Sequence, residues 1–213
     1  MERKFLPFAL LRNFIKFPDP RLEELYREAQ KEKFPVIEPE IGALVYLLVK
    51  TIKPQSVVEF GSGFGYSALW IALACPEDCK IICIDYQEKN RNRALKLFKQ
   101  FGVEGKITYL IGDAEVVFHD LGFENESLDL ILFDHEKQRY SESFDLVLPK
   151  LKKGGFIIAD DVFWKGEVFS EERSSIKAES LKFFLKELQL RREIDYFLCP
   201  LGDGVAVIRK REV

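Results

Sequence analysis

Two adjacent carboxylates, Asp160 and Asp161, end the apolar run "GFIIADD", and a third, Asp134, ends "LDLILFD". Like charges side by side at the rim of a core repel each other and lose solvation, so they need a compensating partner. Three oxygen donors at one rim, with no cysteine or histidine in the set, suit a hard divalent cation such as Mg²⁺. Side chains alternate along a regular strand, so Asp160 and Asp161 face one ion only if the strand gives way to loop there. The plainer readings are that Asp161 caps a short helix, or that the pair meets Lys or Arg. Lys137 stands three residues beyond Asp134 in "DHEKQRY", within reach of the same rim. A lysine beside a divalent cation holds its proton less tightly and can serve as a general base; a solvated surface lysine is the ordinary alternative. Neighbouring His135 is given no catalytic role, and His119 reads as a helix-end residue.

A second constellation lies earlier. "VVEFGSGFGYS" places Gly61, Gly63 and Gly65 between a strand and a helix, where glycine permits a tight turn and a close approach of backbone to ligand. A dinucleotide site asks for Gly or Ala at the sixth position of G-x-G-x-x-G, and Tyr66 stands there instead. Glu59, two residues before the first glycine, repels a pyrophosphate but suits a cationic ligand such as S-adenosylmethionine, with its amino group and sulfonium. Asp85, at the end of the next apolar run, is placed to accept ribose hydroxyls of either an adenosyl or a nicotinamide ligand. A turn with incidental glycines remains the bland alternative.

These residues need a scaffold that brings strand ends together. Apolar runs at "SVVEF" (56–60), "KIICID" (80–85), "KITYLI" (106–111), "LDLILFD" (128–134) and "GFIIAD" (155–160) alternate with helix-compatible segments. Continuous apolar strands between helices predict a parallel sheet covered on both faces. The last of these helices is read through 139–155, with Gly154 and Gly155 ending it. "EIDYFLC" and "VAVIRKR", joined by "PLGDG", predict an antiparallel hairpin closing one side. Three helical segments precede the sheet: "FLPFALLRNFIKF", "PRLEELYREAQKEKF" and "EPEIGALVYLLVKTI". The expected fold is thus a single α/β domain over 1–213: a doubly wound, Rossmann-like sheet over 54–213, with an antiparallel last strand, and an N-terminal helical extension over 1–53. Ligands in such sheets bind beyond the carboxyl ends of the strands.

The 213 residues carry a net charge of −3, which gives no overall sign of nucleic-acid binding, although 32 Lys and Arg can still cluster locally. The N-terminus lacks the long apolar core and small-residue cleavage site of a signal peptide, and no apolar stretch reaches membrane-spanning length, so the expected location is the cytoplasm with no membrane partner. Cys75, Cys79 and Cys83 do not match the two-residue gaps of common zinc sites and read as structural thiols. The 19 Phe against a single Met predict a stiff, aromatic-rich core.

Together the motifs resemble the class I, S-adenosylmethionine-dependent, metal-dependent O-methyltransferases, the catechol and caffeoyl-coenzyme A O-methyltransferase family, in a bacterial-type form. The resemblance runs from about Phe34 to Lys210 and rests on "VVEFGSGFGYSAL", "IDYQEKNRNRAL", "IGDA", "FDHEKQRY", "KKGGFIIADDVFWKGEV" and "PLGDGVAV". It implies a seven-stranded methyltransferase sheet. It also implies that Ile37, Glu59, Gly61, Ser62, Gly63, Ser67, Asp85, Ala114 and Asp134 line the S-adenosylmethionine site, that Asp134, Asp160 and Asp161 hold Mg²⁺ or another divalent cation, and that Lys137 is the base. The ion would bind two neighbouring oxygens of a hydroxylated aromatic acceptor and acidify one hydroxyl. Members often form homodimers, and the apolar residues Phe5 to Ile15 need a surface to cover them.

Two departures stand out. The family usually has Asn where Asp161 stands, so this site carries one more negative charge and is expected to hold its metal more tightly. Segment 168–185 lacks the usual Phe-Asn signature near the substrate, which leaves the acceptor open. Related bacterial enzymes methylate 5-hydroxyuridine at the tRNA wobble position, and the basic clusters "KNRNR" and "LKKGG" make tRNA the alternative acceptor. A nicotinamide-dependent oxidoreductase or a non-enzymatic nucleotide-binding protein is the competing class, against which Glu59 and the three aspartates argue.

Overall fold

The apolar runs pair as parallel strands because their side chains find cover on both faces. In a computed structural model, which describes residues 12–170 and 175–212, strands β1 (Ser56–Phe60), β2 (Lys80–Asp85), β3 (Ile107–Ile111), β4 (Leu128–Phe133) and β5 (Leu151–Ala159) run parallel. Strands β6 (Ile194–Cys199) and β7 (Val205–Lys210) form the C-terminal hairpin, with β7 inserted antiparallel between β5 and β6. The sheet order is β3-β2-β1-β4-β5-β7-β6. It reverses between β1 and β4, the switch point at which such sheets open a crevice.

Alternation decides which helices cover which face. Val57, Ile81, Cys83, Leu130 and Ile158 face a layer built from α1 (Arg21–Glu32), α2 (Pro39–Ile52), α3 (Tyr66–Ala74) and α4 (Glu88–Phe101). Val58, Phe60, Ile84, Ile131, Phe133 and Ile157 face α5 (Ala114–Asp120), α6 (Tyr140–Val147) and α7 (Ile176–Leu190). Full burial of each such aliphatic or aromatic side chain contributes about 1.5–3 kcal/mol relative to exposure. Phenylalanines do much of the filling: Phe60, Phe64, Phe98, Phe118, Phe133, Phe144 and Phe184 are all fully buried. Cys75, Cys79 and Cys83 are buried free thiols in the first layer. Among the described residues no helix is long and apolar enough to cross a membrane.

Two helical expectations are corrected. The segment read as helix through residue 155 stops at Val147, because Pro149 has no N–H to continue the ladder. The "LKKGG" that follows is the first part of β5 instead. Its partner residues jump from Leu128↔Leu151 to Leu130↔Phe156, a bulge whose turn is made by Gly154 at φ 78°. Gly154 and Gly155 therefore bend a strand and do not end a helix. In the first segment, residues 5–11 lie outside the described residues. Arg12–Phe14 make a single 3₁₀ turn, and the chain then leaves helical form before Pro18, with the Phe17 ring 5.6 Å from Trp70.

Candidate active site

The ladder is carried one residue past β4 and β5. The Asp134 N–H donates to the Phe60 carbonyl at 2.9 Å, and the Asp160 N–H donates to the Phe133 carbonyl at 3.0 Å. The ends of β1, β4 and β5 are thereby held at one level. Regular strand stops at Ala159, and Asp161 adopts a left-handed backbone at φ 57°, which turns its carboxylate back beside that of Asp160. The Asp161 N–H donates to Asp160 Oδ1 at 2.8 Å, locking the turn. The Tyr140 hydroxyl, buried below, lies 3.0 Å from the Phe133 carbonyl and 2.9 Å from that of Asp160, stapling the two strand ends. The strand has given way where the chemistry needs it to, and one carboxylate oxygen from each of Asp134, Asp160 and Asp161 falls within 4.8 Å of the others.

Lys137 enters this cluster from a 3₁₀ turn after β4. Its Nζ donates to Asp134 Oδ1 at 2.8 Å and lies 3.3 Å from Asp161 Oδ2. Burial alone would lower its pKa, but the charges of Asp134, Tyr140, Asp161 and Asp160 outweigh burial and hold the ammonium well above its ordinary value. Burial, reinforced by Asp134 and Asp161, pushes the Asp160 carboxyl well above the usual carboxylate range, and burial also raises Asp134. One ammonium against three crowded carboxylates leaves surplus negative charge on an all-oxygen donor set. That set fits a hard divalent cation.

Two cavities meet at these acids. The larger, about 520 Å³, is lined by Gly61, Gly63, Asp85, Ala114, Asp134 and Lys137 together with Tyr86 and His135. A crevice continuous with its wall brings Ile37, Ser62 and Ser67 to Gly61 and Asp134. Asp85 braces the glycine loop: Oδ2 accepts from the Gly63 N–H at 3.0 Å, and Oδ1 accepts from the Gln87 N–H at 2.8 Å and from Asn90 Nδ2 at 3.2 Å. Glu59 lies beneath the loop, fully buried. Burial pushes its carboxyl up, Cys83 Sγ lies 3.6 Å from its Oε2, and its Oε1, like Ser62 Oγ, has no hydrogen-bond partner among the described residues.

The sequence pattern of the O-methyltransferase family matches residues 17–211. This chain belongs to that family. The enzyme is a class I, S-adenosylmethionine-dependent O-methyltransferase. Among its relatives, a caffeoyl-CoA O-methyltransferase of Stellaria longipes is 30% identical over 211 residues, covering 90% of this chain and 85% of that protein. A flavonoid 3',5'-methyltransferase of Vitis vinifera is 33% identical over 178 residues, covering 79% and 76%. The O-methyltransferase TomG of Streptomyces achromogenes, solved in complex with S-adenosylmethionine, superposes with a TM-score of 0.85 at 19% identity over 95% of each chain, a likeness of fold.

In this O-methyltransferase the second cavity, about 390 Å³, shares Asp134 and Asp161 with the larger one and adds Asp160. Its wall adds Arg12, Glu38, Glu40 and Asp203, none of which the sequence singled out. Glu40 reads from sequence as an ordinary acid in the first turn of α2, and Asp203 as a turn residue of "PLGDG"; only tertiary structure aims them at the site. A buried network was also missed. His135 Nε2 lies 2.9 Å from Ser143 Oγ and 3.1 Å from Glu115 Oε1, and Arg139 reaches Glu115 Oε2 at 2.8 Å and also Asp113. Asp113 caps α5, accepting from the Val116 N–H at 3.1 Å, so the network fixes the turn that puts Ala114 on the cavity wall. Spacing alone offers no signal for a contact between residues 115, 135 and 143.

The glycine loop carries a test. Gly61 sits at φ 87°, and a Cβ there would lie 2.3 Å from the Asp134 carbonyl oxygen. Gly61→Ala is expected to strain the backbone by about 1–3 kcal/mol and to push the loop away from Asp134. Calorimetric binding of S-adenosylhomocysteine should weaken by at least about tenfold, equivalent to about 1.4 kcal/mol.

Proposed function

We propose that the enzyme methylates one hydroxyl of a small aromatic acceptor with two neighbouring oxygens, held on a divalent cation by Asp134, Asp160 and Asp161, with Lys137 as base. The observation that carries this reading is the convergence of three carboxylates where two cavities meet, two of them ion-paired to the buried Lys137. The relatives named for caffeoyl-CoA and flavonoids act on phenolic acceptors, which supports the class.

The larger cavity receives S-adenosylmethionine. Glu59 stays buried beneath the loop with its Oε1 unpartnered among the described residues, while Asp85 on the cavity wall has lone pairs left for ribose hydroxyls. Gly61 and Gly63 let the backbone approach, Ile37, Ser62 and Ser67 close the crevice, and Ala114 leaves room for the base. Asp134, Asp160 and Asp161 would hold the cation, which would supply Lewis acidity that lowers the pKa of an acceptor hydroxyl and offsets the aspartate charge. Asp134, Asp160 and Asp161 fix where the acceptor oxygens sit relative to the cofactor cavity. Lys137 is held protonated while the aspartates are unmatched, so it acts as a base only once their charge is met. With that charge met, the ammonium releases a proton to solvent; the neutral Nζ then takes the proton of the attacking hydroxyl, the new O–CH₃ bond forms, and the S–CH₃ bond breaks to leave S-adenosylhomocysteine.

The two basic clusters that make tRNA the alternative acceptor are partly matched by acids. In "KNRNR", Arg93 is engaged by Glu32 at 2.5 Å, and in "LKKGG", Lys152 by Asp129 at 2.7 Å. Incubation with methyl-labelled S-adenosylmethionine, a catechol panel or hypomodified tRNA, with and without EDTA, tests the proposal. Label is expected in the catechols, as the mono-methyl ether, and lost with EDTA. Transfer that survives chelation would overturn the ligand role of the aspartates, and label in tRNA alone would overturn the acceptor.

A further inference from the structure

Beyond Asp161 the chain makes a turn that L-residues disfavour. Trp164, Lys165 and Gly166 lie in succession at φ 43°, 56° and 79°, and left-handed backbone costs free energy at the first two, which carry a Cβ. Such a turn persists only where its surroundings over-determine it. Here the tip of the β6–β7 hairpin does so. The Val162 N–H donates to the Gly204 carbonyl at 3.0 Å, and the Phe163 N–H donates to the Asp203 carbonyl at 2.9 Å. The Phe163 ring packs where Gly204 leaves space, since a Cβ there would lie 2.3 Å from it. The Lys165 N–H, in the strained stretch itself, lies 2.7 Å from both carboxylate oxygens of Asp203. A backbone donor on a carboxylate makes a charge-assisted bond, roughly twice as strong as a neutral one.

What the turn delivers is the Trp164 ring. It is half-buried and stands on the wall of the larger cavity with Gly61, Asp134, Lys137 and Asp161. Lys177, on α7 and on the same wall, places its Nζ 5.1 Å from the ring centre and 3.2 Å from Glu136 Oε1. Lys165 Nζ lies 5.7 Å from the same centre. Asp203 lines the smaller cavity instead, so it reaches Trp164 through the Lys165 N–H.

We infer that Asp203 is a positioning residue of the methyl-transfer site: its carboxylate holds the Lys165 N–H, and that bond keeps Trp164 in place as a wall of the larger cavity. The inference rests on S-adenosylmethionine filling that cavity, as proposed above, and adds what closes it. With the bond in place, Trp164 and Lys177 cover the end of the cavity at Asp161 and Lys137, where the aspartates and the base work best away from bulk water. Without it the left-handed turn relaxes and the ring leaves the wall. Asp203 also brings a charge to the same wall as Asp134, Asp160 and Asp161, so the bond and the charge have to be tested apart.

Asp203→Ala removes both the acceptor and the charge, whereas Asp203→Asn keeps an acceptor for the Lys165 N–H and removes only the charge. Calorimetric binding of S-adenosylhomocysteine is expected to weaken by at least about tenfold in Asp203→Ala and to stay within about threefold of the wild type in Asp203→Asn. Fluorescence adds a readout of position. The chain has two tryptophans and Trp70 is fully buried, so acrylamide quenching reports Trp164. Saturating S-adenosylhomocysteine is expected to cut that quenching severalfold in the wild type and in Asp203→Asn, and to leave it nearly unchanged in Asp203→Ala. Shielding that Asp203→Ala keeps would overturn the inference alone and leave the cofactor's place standing. Asp203→Asn as weak as Asp203→Ala would also overturn it, by showing that Asp203 serves through charge. S-adenosylhomocysteine that binds without shielding wild-type Trp164 would overturn the cofactor's place, and the inference with it. If Asp203→Ala does not fold, amide exchange at Lys165 in the wild type carries the test. The bond predicts slow exchange at this exposed residue, slower still with S-adenosylhomocysteine bound, and unprotected exchange would overturn the inference.

Discussion

Lys137→Met is expected to lower kcat by about 10²–10⁴-fold, the range over which a positioned general base acts. Methionine keeps the unbranched stem in its buried slot beside Tyr140, so packing changes little while the nitrogen is lost. Loss of activity alone would not separate a base from a counter-ion, because Lys137 also neutralises Asp134 and Asp161. Lys137→Arg separates them. Arginine keeps the positive charge but does not surrender a proton in proteins, so the base role predicts that it stays nearly as slow as Met. Recovery of most of the activity in Lys137→Arg would show that Lys137 serves only by charge. The folded state holds the lysine protonated above its ordinary pKa, and base action needs the aspartate charge met first. The wild-type rate under single-turnover conditions is therefore expected to rise with both pH and Mg²⁺ concentration, and the pH dependence to vanish in Lys137→Met.

The strands and the hairpin were legible because their signal is local: unbroken apolar runs such as "SVVEF" and "LDLILF" need cover on both faces, whatever covers them. The end of α6 was misread because Gly-Gly serves equally to stop a helix and to bend a strand, and only the pairing of Phe156 with Leu130 tells which. The site divides in the same way. Asp134, Asp160 and Lys137 could be read because strand ends converge in any sheet of this order. The end of the strand at 160–161 was foreseen as a requirement of the chemistry, and the chain meets it with a left-handed turn at Asp161 that the sequence did not announce. Glu40, Arg12 and the His135–Glu115–Ser143 network could not be read. They reach the site from helices and loops far apart in the chain, and nothing in the local pattern of "EPEIGA" or "DAEVV" distinguishes an acid that faces a cavity from one that faces water.

Asp160→Asn is expected to abolish metal-dependent transfer and yet to stabilise the metal-free protein. The folded-state pKa of Asp160 is raised, first by burial and then by Asp134 and Asp161. For such a carboxyl the folded state favours the protonated form. Its contribution to stability is therefore whole below the unfolded pKa of about 3.9 and is lost as pH rises through the higher folded value. Near neutral pH the ionised group is a cost. Asparagine imitates the protonated form, keeps an oxygen for the Asp161 N–H, and removes one of three mutually repelling charges. The gain is expected to be on the order of 1 kcal/mol, about 2–4 °C in Tm for a chain of this size, and to disappear when both proteins are melted in acid. Mg²⁺ should reverse the order. It stabilises the wild type in proportion to RT ln(1 + [Mg²⁺]/Kd), and the variant, short of one donor, should gain far less. A metal-free Asp160→Asn protein that melts below the wild type at neutral pH would mean that Lys137 already satisfies the cluster. The repulsion read from the sequence would then not be what the cation relieves. The expected crossing of the two melting curves with Mg²⁺ would instead show a chain that gives up stability in its empty state to keep three carboxylates poised for an ion.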